Sequence, residues 1–243
     1  MSGAAGAALV TGGSSGIGLA IGEVLAEEGY ALTLCSRRED KLRATADRLR
    51  ARGHDIQDVA ANMASEEDIK HVMAAHRERF GRLDVLVNNA GVGSGAGAGE
   101  VATKRVDLQL DVNLRAVILM YREGMELLRA AAAERGSALV VNVASIAGLR
   151  GAAWLGVYSA TKHGVVGYTR AMNRELGPQG IRSTALCPAF VDTDMTEFIR
   201  DRVPRERMIR VEDVAGAVRW LIHTSPYCVV PEIPMTLPGD ADE

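Results

Sequence analysis

The stretch Leu9-Val10-Thr11-Gly12-Gly13-Ser14-Ser15-Gly16-Ile17-Gly18 joins an apolar run to the start of an amphipathic segment, as a buried strand joins a helix. Glycines let the chain turn tightly and let a ligand approach the backbone. The amino terminus of the helix adds free N–H groups and the positive end of a dipole, which together suit a pyrophosphate. The spacing of Gly12, Gly16 and Gly18 departs from Gly-x-Gly-x-x-Gly, and a merely tight connection is the alternative. We favour a dinucleotide-binding turn over residues 11–18, with Ser14, Ser15 and Ile17 at the ligand.

Short apolar runs alternate with longer amphipathic segments along the whole chain. Strands are predicted at residues 7–11, 31–36, 55–62, 85–88, 138–144 and 182–187, and helices at 16–28, 39–52, 66–79, 104–133 and 157–176. Such alternation is typical of a parallel sheet covered by helices on both faces. We therefore predict the α/β class, with a single Rossmann-type, doubly wound parallel sheet of about seven strands. One domain is expected over residues 1–243.

The end of the second strand reads Ser36-Arg37-Arg38. In dinucleotide-binding sheets a carboxylate at this place binds a ribose 2′-hydroxyl, whereas an arginine accepts a 2′-phosphate. Two cations and a hydroxyl favour NADP over NAD. The alternative is that both arginines are solvated and pair with Glu39 and Asp40.

Composition narrows the class of protein. Hydrophobic residues make up 47% and charged residues 24% of the chain, and the net charge of −3 gives no basic field for nucleic acid. Cys35, Cys187 and Cys228 lack metal-ligand spacing, so we expect reduced thiols, a cytoplasmic location and no metal. The segment 1–6 has no basic region of the kind that begins a secretory leader. No apolar run is long enough to cross a bilayer, so no membrane association is expected.

Tyr158 and Lys162 lie one helical turn apart, and Ser145 follows a predicted buried strand. Residues at i and i+4 share a helix face, so the ammonium of Lys162 is expected near the phenol and is expected to lower its pKa. An unperturbed tyrosine titrates near 10 and needs such help to exchange protons at neutral pH. The hydroxyl of Ser145 could hold a substrate oxygen against the phenol. The trio predicts protonation of an alkoxide or deprotonation of an alcohol, although a Tyr-x-x-x-Lys pair alone is a weak signal.

Together these motifs, with Asn88-Asn89-Ala90-Gly91 and Asn113, resemble the classical short-chain dehydrogenase/reductase family over nearly the whole chain. The resemblance implies that Tyr158 is the general acid or base and that Ser145 orients the carbonyl. It also implies that Lys162 binds the nicotinamide ribose and lowers the phenol pKa, and that Asn113 holds a water in a proton relay. The implied cofactor contacts further include Asn62, Met63, Asn89, Ala90, Gly91, Pro188, Val191 and Thr193.

Two features depart from the family pattern. Ala189 follows Pro188 where the family has glycine, which would narrow the pocket, and the C-terminal segment lacks the common Asp-Gly-Gly ending. The resemblance implies a substrate lid at about residues 189–210 and a homo-oligomer, dimer or tetramer. The candidate apolar substrate wall consists of Trp154, Leu155, Phe190, Met195 and Phe198. The lid is rich in arginine, which suits an acidic or carrier-bound substrate or, alternatively, a solvated surface with ion pairs.

These expectations give three functional hypotheses. The first is an NADP-dependent oxidoreductase, NADPH being preferred over NADH, that moves a hydride between nicotinamide and a small-molecule ketone or secondary alcohol. The second is a 3-oxoacyl-thioester reductase, which the lid arginines could serve. The third is a non-catalytic, dinucleotide-binding regulatory protein. The intact set of Asn113, Ser145, Tyr158 and Lys162 speaks against the third, because a binder does not need a tuned phenol.

Overall fold

The computed structural model describes residues 6–239, and within that range seven strands form one parallel sheet. The strand order is β3-β2-β1-β4-β5-β6-β7. Chain order reverses between β1 and β4, the place where open α/β sheets bind ligands beyond the carboxyl ends of their strands. The α/β prediction is confirmed. The strands are β1 (Gly6–Thr11), β2 (Tyr30–Ser36), β3 (Ile56–Ala60), β4 (Val85–Asn88), β5 (Ala138–Val143), β6 (Ile181–Pro188) and β7 (Glu232–Met235).

Residues 1–5 and 240–243 lie outside the described range. The prediction that residues 1–6 are not a secretory leader therefore lies almost entirely outside the described residues. Within residues 6–239, no helix combines the length and apolar character needed to cross a membrane. The same range contains no group of three or more His, Cys, Asp or Glu side chains placed to hold a metal ion.

Helices cover both faces of the sheet and create two apolar cores. Successive strand residues point to opposite faces, so Leu9 joins one core and Val10 the other. The core around Val10 is closed by α1, α2 and α7, and the core around Leu9 by α3, α5 and α6. The helices are α1 (Gly16–Glu27), α2 (Glu39–Ala51), α3 (Glu66–Phe80), α4 (Thr103–Leu110), α5 (Ala116–Arg135), α6 (Gly156–Leu176) and α7 (Val211–Ile222).

The helix predicted at residues 104–133 is interrupted in the structure. Five residues, Asp111–Arg115, form a π-helical turn between α4 and α5. A π turn adds a residue to the helical circuit and is found frequently at functional sites. Asn113 lies in this turn, and hydrophobic periodicity does not separate a π turn from an α-helix.

One α-helix and one strand of the structure were not among the predicted elements. The first, α7, buries Val214, Ala215, Val218 and Leu221 at helical spacing. The second, β7, is four residues long and contains Pro234, which lacks an N–H group. It pairs with β6 alone, and proline is tolerated on such an edge strand. The third strand ends earlier than predicted, at Ala60.

Candidate active site

A cleft of about 1320 Å³ runs along the carboxyl ends of the strands. It exceeds the volume of a usual small-molecule pocket, about 300–1,000 Å³, so it has room for a large ligand and a second one beside it. Gly18 and Asn113 are the only predicted site residues that do not line it. The lining residues that the sequence predicted are Gly12, Ser14, Ser15, Gly16, Ile17, Ser36, Arg37, Arg38, Asn62, Met63, Asn89, Ala90, Gly91, Ser145, Trp154, Leu155, Tyr158, Lys162, Pro188, Phe190, Val191, Thr193, Met195 and Phe198.

The glycine-rich turn needs its glycines for two different reasons. Gly12 and Gly16 have φ values of +69° and +55°, the left-handed region that favours glycine. Gly18 is needed for space, because a Cβ atom there would lie 2.3 Å from Nδ2 of Asn89 and 2.4 Å from the carbonyl oxygen of Gly12. Gly18 therefore packs the turn against its neighbours, and Gly12 and Gly16 shape the surface that faces the cleft.

The loop after β4 is fastened to this turn by hydrogen bonds. The Nδ2 atom of Asn89 donates to the carbonyl oxygen of Thr11 at 2.9 Å and to that of Gly12 at 3.3 Å. The Oγ1 atom of Thr11 accepts from the backbone N–H groups of Asn89 and Ala90 at 2.9 and 3.0 Å. The side chain of Asn89 thus acts as a structural tie, and the backbone from Asn89 to Gly91 forms the cleft wall.

Ser36, Arg37 and Arg38 form an open cationic edge of the cleft. The Oγ atom of Ser36 is buried and has no hydrogen-bond partner. Glu39, the expected alternative partner of these arginines, instead pairs with Arg43 at 2.5 Å. Within residues 6–239 no ion pair involves Arg37 or Arg38. Two unpaired cations beside an unsatisfied hydroxyl are a fitting site for a phosphate group.

Asn62 and Met63 form the cleft wall beyond β3. The Oδ1 atom of Asn62 accepts from the backbone N–H of Ala64 at 3.2 Å, which fixes the amide. An amide oxygen has two lone pairs, so one acceptor position is still available. The side chain of Met63 is buried.

Ser145, Tyr158 and Lys162 converge at the carboxyl end of β5. Ser145 follows that strand and caps a short 3₁₀ turn, its Oγ accepting from the N–H of Ala147 at 3.2 Å. Tyr158 lies in the first turn of α6, with Lys162 one turn further on. The loop and the helix approach so closely that a Cβ atom on Gly148 would lie 2.7 Å from the carbonyl oxygen of Lys162. This contact explains how residues from two elements form one site.

The electrostatics of the pair differ from the expectation. Burial raises the pKa of Tyr158 above its ordinary value, and a hydrogen bond to Ser145 opposes this. Burial also lowers the pKa of Lys162 to about 8. The Nζ atom of Lys162 donates to the carbonyl oxygen of Val143 at 2.7 Å and lies 5.6 Å from the centre of the Tyr158 ring. The net shift of the phenol pKa is therefore upward, and the ammonium of Lys162 is hydrogen-bonded to a backbone carbonyl rather than to the phenol.

Asn113 lies behind the cleft, and its side chain is buried. Its Oδ1 accepts from the N–H of Val92 at 2.8 Å, and its Nδ2 donates to the carbonyl oxygen of Val92 at 2.9 Å and to Thr161 Oγ1 at 3.2 Å. The amide joins the loop after β4 to helix α6. A Cβ atom on Gly91 would lie 3.5 Å from Asn113 Oδ1 and 3.7 Å from Lys162 Nζ, so the three groups are close together.

Backbone pairing and an ion pair join the two ends of the predicted lid, residues 189–210. Val191 forms a parallel bridge with Ile209, and Asp192 accepts two-pronged hydrogen bonds from Arg205 at 2.8–3.0 Å. Arg210 pairs with Asp213 at 2.8 Å. These pairs agree with the alternative of ion pairs on a solvated surface, although Arg200, Arg205 and Arg210 also line the cleft.

Sequence reasoning did not find a polar pair on the substrate side of the cleft. Gln109 is buried, and its Nε2 donates to Ser94 Oγ at 3.2 Å and to the carbonyl oxygen of Arg105 at 3.3 Å. Ser94 lines the cleft. The sequence signal for it was a glutamine between two leucines in a helical pattern. In the structure the glutamine is buried, whereas Leu108 and Leu110 are exposed.

Comparisons with known proteins agree with this geometry. The family model described as short chain dehydrogenase matches residues 6–204. A Streptomyces violaceoruber protein assigned as ketoacyl reductase 1 of the granaticin polyketide synthase is 38% identical over 237 residues, covering 88% of this chain and 85% of its own.

Two solved structures are similar over almost their whole length. A variant of actinorhodin polyketide ketoreductase with NADPH superposes with a TM-score of 0.86 at 34% identity, covering 95% of both chains. The 3-ketoacyl-(acyl-carrier-protein) reductase of Brucella melitensis complexed with NADH has a TM-score of 0.86 at 30% identity, covering 96% of both chains.

Proposed function

The chain belongs to the short chain dehydrogenase family, and from this we propose that it is an NADPH-dependent reductase of ketones in which Tyr158 donates the proton. Members of this family that resemble it are named as reductases, so an oxidoreductase acting on ketone or CH–OH groups is favoured over a non-catalytic binder. The observation that carries the proposal is the meeting of Ser145, Tyr158 and Lys162 in the same cleft as the glycine-rich turn.

The residues that line the cleft fit a phosphorylated dinucleotide. The turn from Gly12 to Ile17, at the amino terminus of α1, would hold the pyrophosphate, and Ser36, Arg37 and Arg38 would hold the 2′-phosphate. The unsatisfied Oγ of Ser36 supports this assignment. Asn62 and Met63 would contact the adenine and Asn89, Ala90 and Gly91 its ribose, Lys162 with Tyr158 would hold the nicotinamide ribose, and Pro188, Val191 and Thr193 would hold the carboxamide.

When bound, the reduced dinucleotide supplies a hydride to the carbonyl carbon. The substrate oxygen would lie between the hydroxyls of Ser145 and Tyr158, and Tyr158 would transfer its proton to that oxygen as negative charge develops there. The carbonyl, one hydride and one proton give the alcohol. Protonated Lys162 would stabilise the phenolate left on Tyr158, and Asn113 would keep the surrounding loop and helix in register.

The direction of the pKa shift on Tyr158 suits reduction. Burial keeps the phenol protonated at neutral pH, which is the state that a proton donor needs. An alkoxide is far more basic than a phenolate, so proton transfer to it is downhill even from a weakened acid. The reverse reaction, oxidation of an alcohol, needs the phenolate and would require a higher pH.

The test is a nicotinamide absorbance assay with a panel of simple ketones and 3-oxoacyl thioesters, run with NADPH and NADH in parallel. Wild-type protein should oxidise NADPH with at least one class. Tyr158→Phe should lower kcat by a factor of about 10²–10⁴, the usual contribution of general acid catalysis, and should still bind NADPH in a fluorescence titration. Tight NADPH binding without turnover of any carbonyl or alcohol would instead support the non-catalytic alternative.

A 3-oxoacyl thioester is the second candidate substrate. Arg200, Arg205 and Arg210 line the cleft at the lid, and Arg200 Nε is buried without a hydrogen-bond partner, so an acidic substrate group could bind there. Relatives named as ketoacyl reductases agree with it. The thioester arm of the assay distinguishes the two candidates, since preference for simple ketones would exclude this one.

We further propose that the chain is cytoplasmic and forms a dimer or tetramer. Leu108, Leu110 and Ile118 are large apolar residues that remain exposed along α4 and α5, as do Trp220 and Tyr227 near α7. Cys35, Cys187 and Cys228 are all free, which suits a reducing compartment. Light scattering of the purified protein would test the assembly, and a monomer at micromolar concentration would contradict it. Cell fractionation would test the location.

A further inference from the structure

We propose that Trp154 sets the width of the substrate pocket and that Gly95 holds its indole ring in place. This inference rests on the proposed function, because it concerns which ketones reach Tyr158. Trp154 lies in the turn just before α6, four residues ahead of Tyr158, and it lines the cleft. The sequence marked it only as one of several apolar candidates.

The backbone at Trp154 is strained. Its φ of +69° makes it the one non-glycine residue between positions 6 and 239 with a positive φ. Bulky side chains rarely adopt this conformation, and such strain persists where surrounding contacts enforce it, often at ligand clamps. Here the carbonyl oxygen of Trp154 accepts from the N–H of Ala96 at 2.9 Å. The same turn is tied to α6, since the N–H of Ala152 donates to Ser159 Oγ at 3.2 Å.

The indole lies directly on the backbone of Gly95. A Cβ atom at Gly95 would be 2.2 Å from Cε3 of Trp154 and 2.4 Å from two further ring atoms. Gly95 does not have a positive φ, so its role is to leave space for the ring. The ring and the glycine therefore form a matched pair, made by two loops that are far apart in the sequence.

Trp154 and Gly95 lie close to the side chain of Tyr158. A Cβ atom on Gly93, two residues before Gly95, would lie 3.7 Å from Cε2 of Tyr158 and 3.9 Å from Sδ of Met195. On the lid side, the rings of Trp154 and Phe198 are 6.4 Å apart between centroids. The glycine-rich loop, the turn before α6 and the lid thus meet around Trp154.

This arrangement exposes an apolar wall inside the cleft. Trp154, Phe198 and Met195 are 57%, 59% and 47% exposed, which is unusual for side chains of this size. They would lose contact with water only when an apolar part of a ligand packs against them. The geometry points to a ketone whose apolar body lies between the indole and the lid, with its carbonyl directed to Ser145 and Tyr158.

The experiment is a double-mutant cycle with cyclohexanone and 4-phenylcyclohexanone as the small and the bulky ketone. We expect Trp154→Ala to raise the ratio of kcat/KM for the bulky ketone over the small one about 10-fold, the usual scale for space in an apolar pocket. A methyl group at Gly95 leaves no room for the indole, so Gly95→Ala should push the ring away from the loop and into the pocket. The narrower pocket should lower that ratio about 10-fold. In the Trp154→Ala background, Gly95→Ala should leave the ratio unchanged, because the ring that the methyl group displaces is gone.

Gly99→Ala is the matched control. It lies in the same loop, a Cβ atom there would meet nothing within 4 Å, and it does not line the cleft. It should leave both rates and the KM for NADPH unchanged. The proposal is overturned if Gly95→Ala changes the ratio equally with and without Trp154, or if Trp154→Ala leaves the ratio unchanged.

A second readout does not depend on turnover. The chain has two tryptophans, so Trp220→Phe, on the exposed surface of α7, leaves Trp154 as the sole indole reporter. In that background Gly95→Ala should shift the emission of Trp154, and Gly99→Ala should not. Unshifted emission would overturn the contact itself. If the wild type reduces neither these nor any other ketone, the proposed function fails and the role of Trp154 fails with it, whereas turnover with an unchanged ratio overturns the role of Trp154 alone.

Discussion

At the scale of single residues, burial opposes the charged forms of both members of the proton-transfer pair. It raises the pKa of Tyr158 and lowers that of Lys162 to about 8. The compensating contacts are a hydrogen bond from Ser145 on one side and the carbonyl oxygen of Val143 on the other. The site therefore holds a protonated phenol beside an ammonium whose charge is easily lost.

This arrangement predicts a limb in the pH profile of carbonyl reduction. The value of kcat/KM should fall as the pH rises through about 8, because Lys162 then loses the charge that stabilises the developing phenolate. The arginine in Lys162→Arg keeps its charge at this pH. The variant should therefore lack the limb, although its kcat/KM is expected to be lower than that of the wild type. Initial rates from pH 6 to about 10 in a constant-ionic-strength buffer would measure both. A limb near 8 that persists in Lys162→Arg would assign it to another group.

The cationic edge at Arg37 and Arg38 predicts cofactor preference. Arg37→Ala with Arg38→Ala should raise the KM for NADPH about 10-fold or more, the scale of a charge-assisted hydrogen bond, and should leave the KM for NADH nearly unchanged. Arg43→Ala is the matched control, since Arg43 is exposed on the same segment, pairs with Glu39 and does not line the cleft. Equal losses for both cofactors would show that the arginines do not read the 2′-phosphate.

At the scale of elements, helix α3 is joined to the sheet by a buried histidine. The Nδ1 of His76 lies 2.8 Å from Thr33 Oγ1 in β2, and its Nε2 lies 2.9 Å from the carbonyl oxygen of Arg82. Both ring nitrogens are engaged and the side chain is fully buried, so the neutral ring is favoured. Burial lowers the pKa of His76 to about 4.

His76 therefore predicts acid sensitivity of the fold. Because its pKa in the folded state is below the unfolded value of about 6.5, its contribution is fully present above pH 6.5 and is lost as the pH falls from about 6.5 to 4. The loss should reach about 3 kcal/mol of unfolding free energy. Urea unfolding at several pH values would measure it. His76→Gln should flatten this dependence, whereas His71→Gln, on an exposed position of the same helix, should not; similar profiles for both variants would contradict the assignment.

At the scale of the whole molecule, the cleft joins both halves of the sheet. Its walls come from the loops after β1, β2 and β3 on one side and after β4, β5 and β6 on the other. A ligand that spans these loops binds the folded chain and not the unfolded one. Binding must therefore raise the stability of the entire domain.

This linkage predicts a cofactor-dependent melting temperature. NADPH at 100 times its Kd should add about 2.7 kcal/mol, which corresponds to roughly 5–10 °C for a domain of this size. NADH at the same concentration should add less, because it lacks the 2′-phosphate. Differential scanning fluorimetry would measure both. An equal rise with the two cofactors would argue against the assignment of Ser36, Arg37 and Arg38.

The sequence determined the features that depend on local chemistry. The glycine-rich turn, the strand and helix alternation and the Tyr158–Lys162 spacing are each encoded within a few residues, so they predicted the sheet, the cleft and most of its lining. It did not predict β7, because that strand is short and contains Pro234, nor α7, although Val214, Val218 and Leu221 have helical spacing. It also did not separate the π turn at Asp111–Arg115 from the helices beside it.

The tertiary structure decided where side chains point and what they touch. It directs Lys162 to Val143, makes Gly18 and Asn89 a packing contact, leaves Ser36 Oγ without a partner and lays Trp154 on Gly95. The three contacts join residues from different elements, and two of them join residues about 60–70 positions apart in the chain. Local propensity carries no information about such distances, so only the packing of the whole sheet and its helices fixes them.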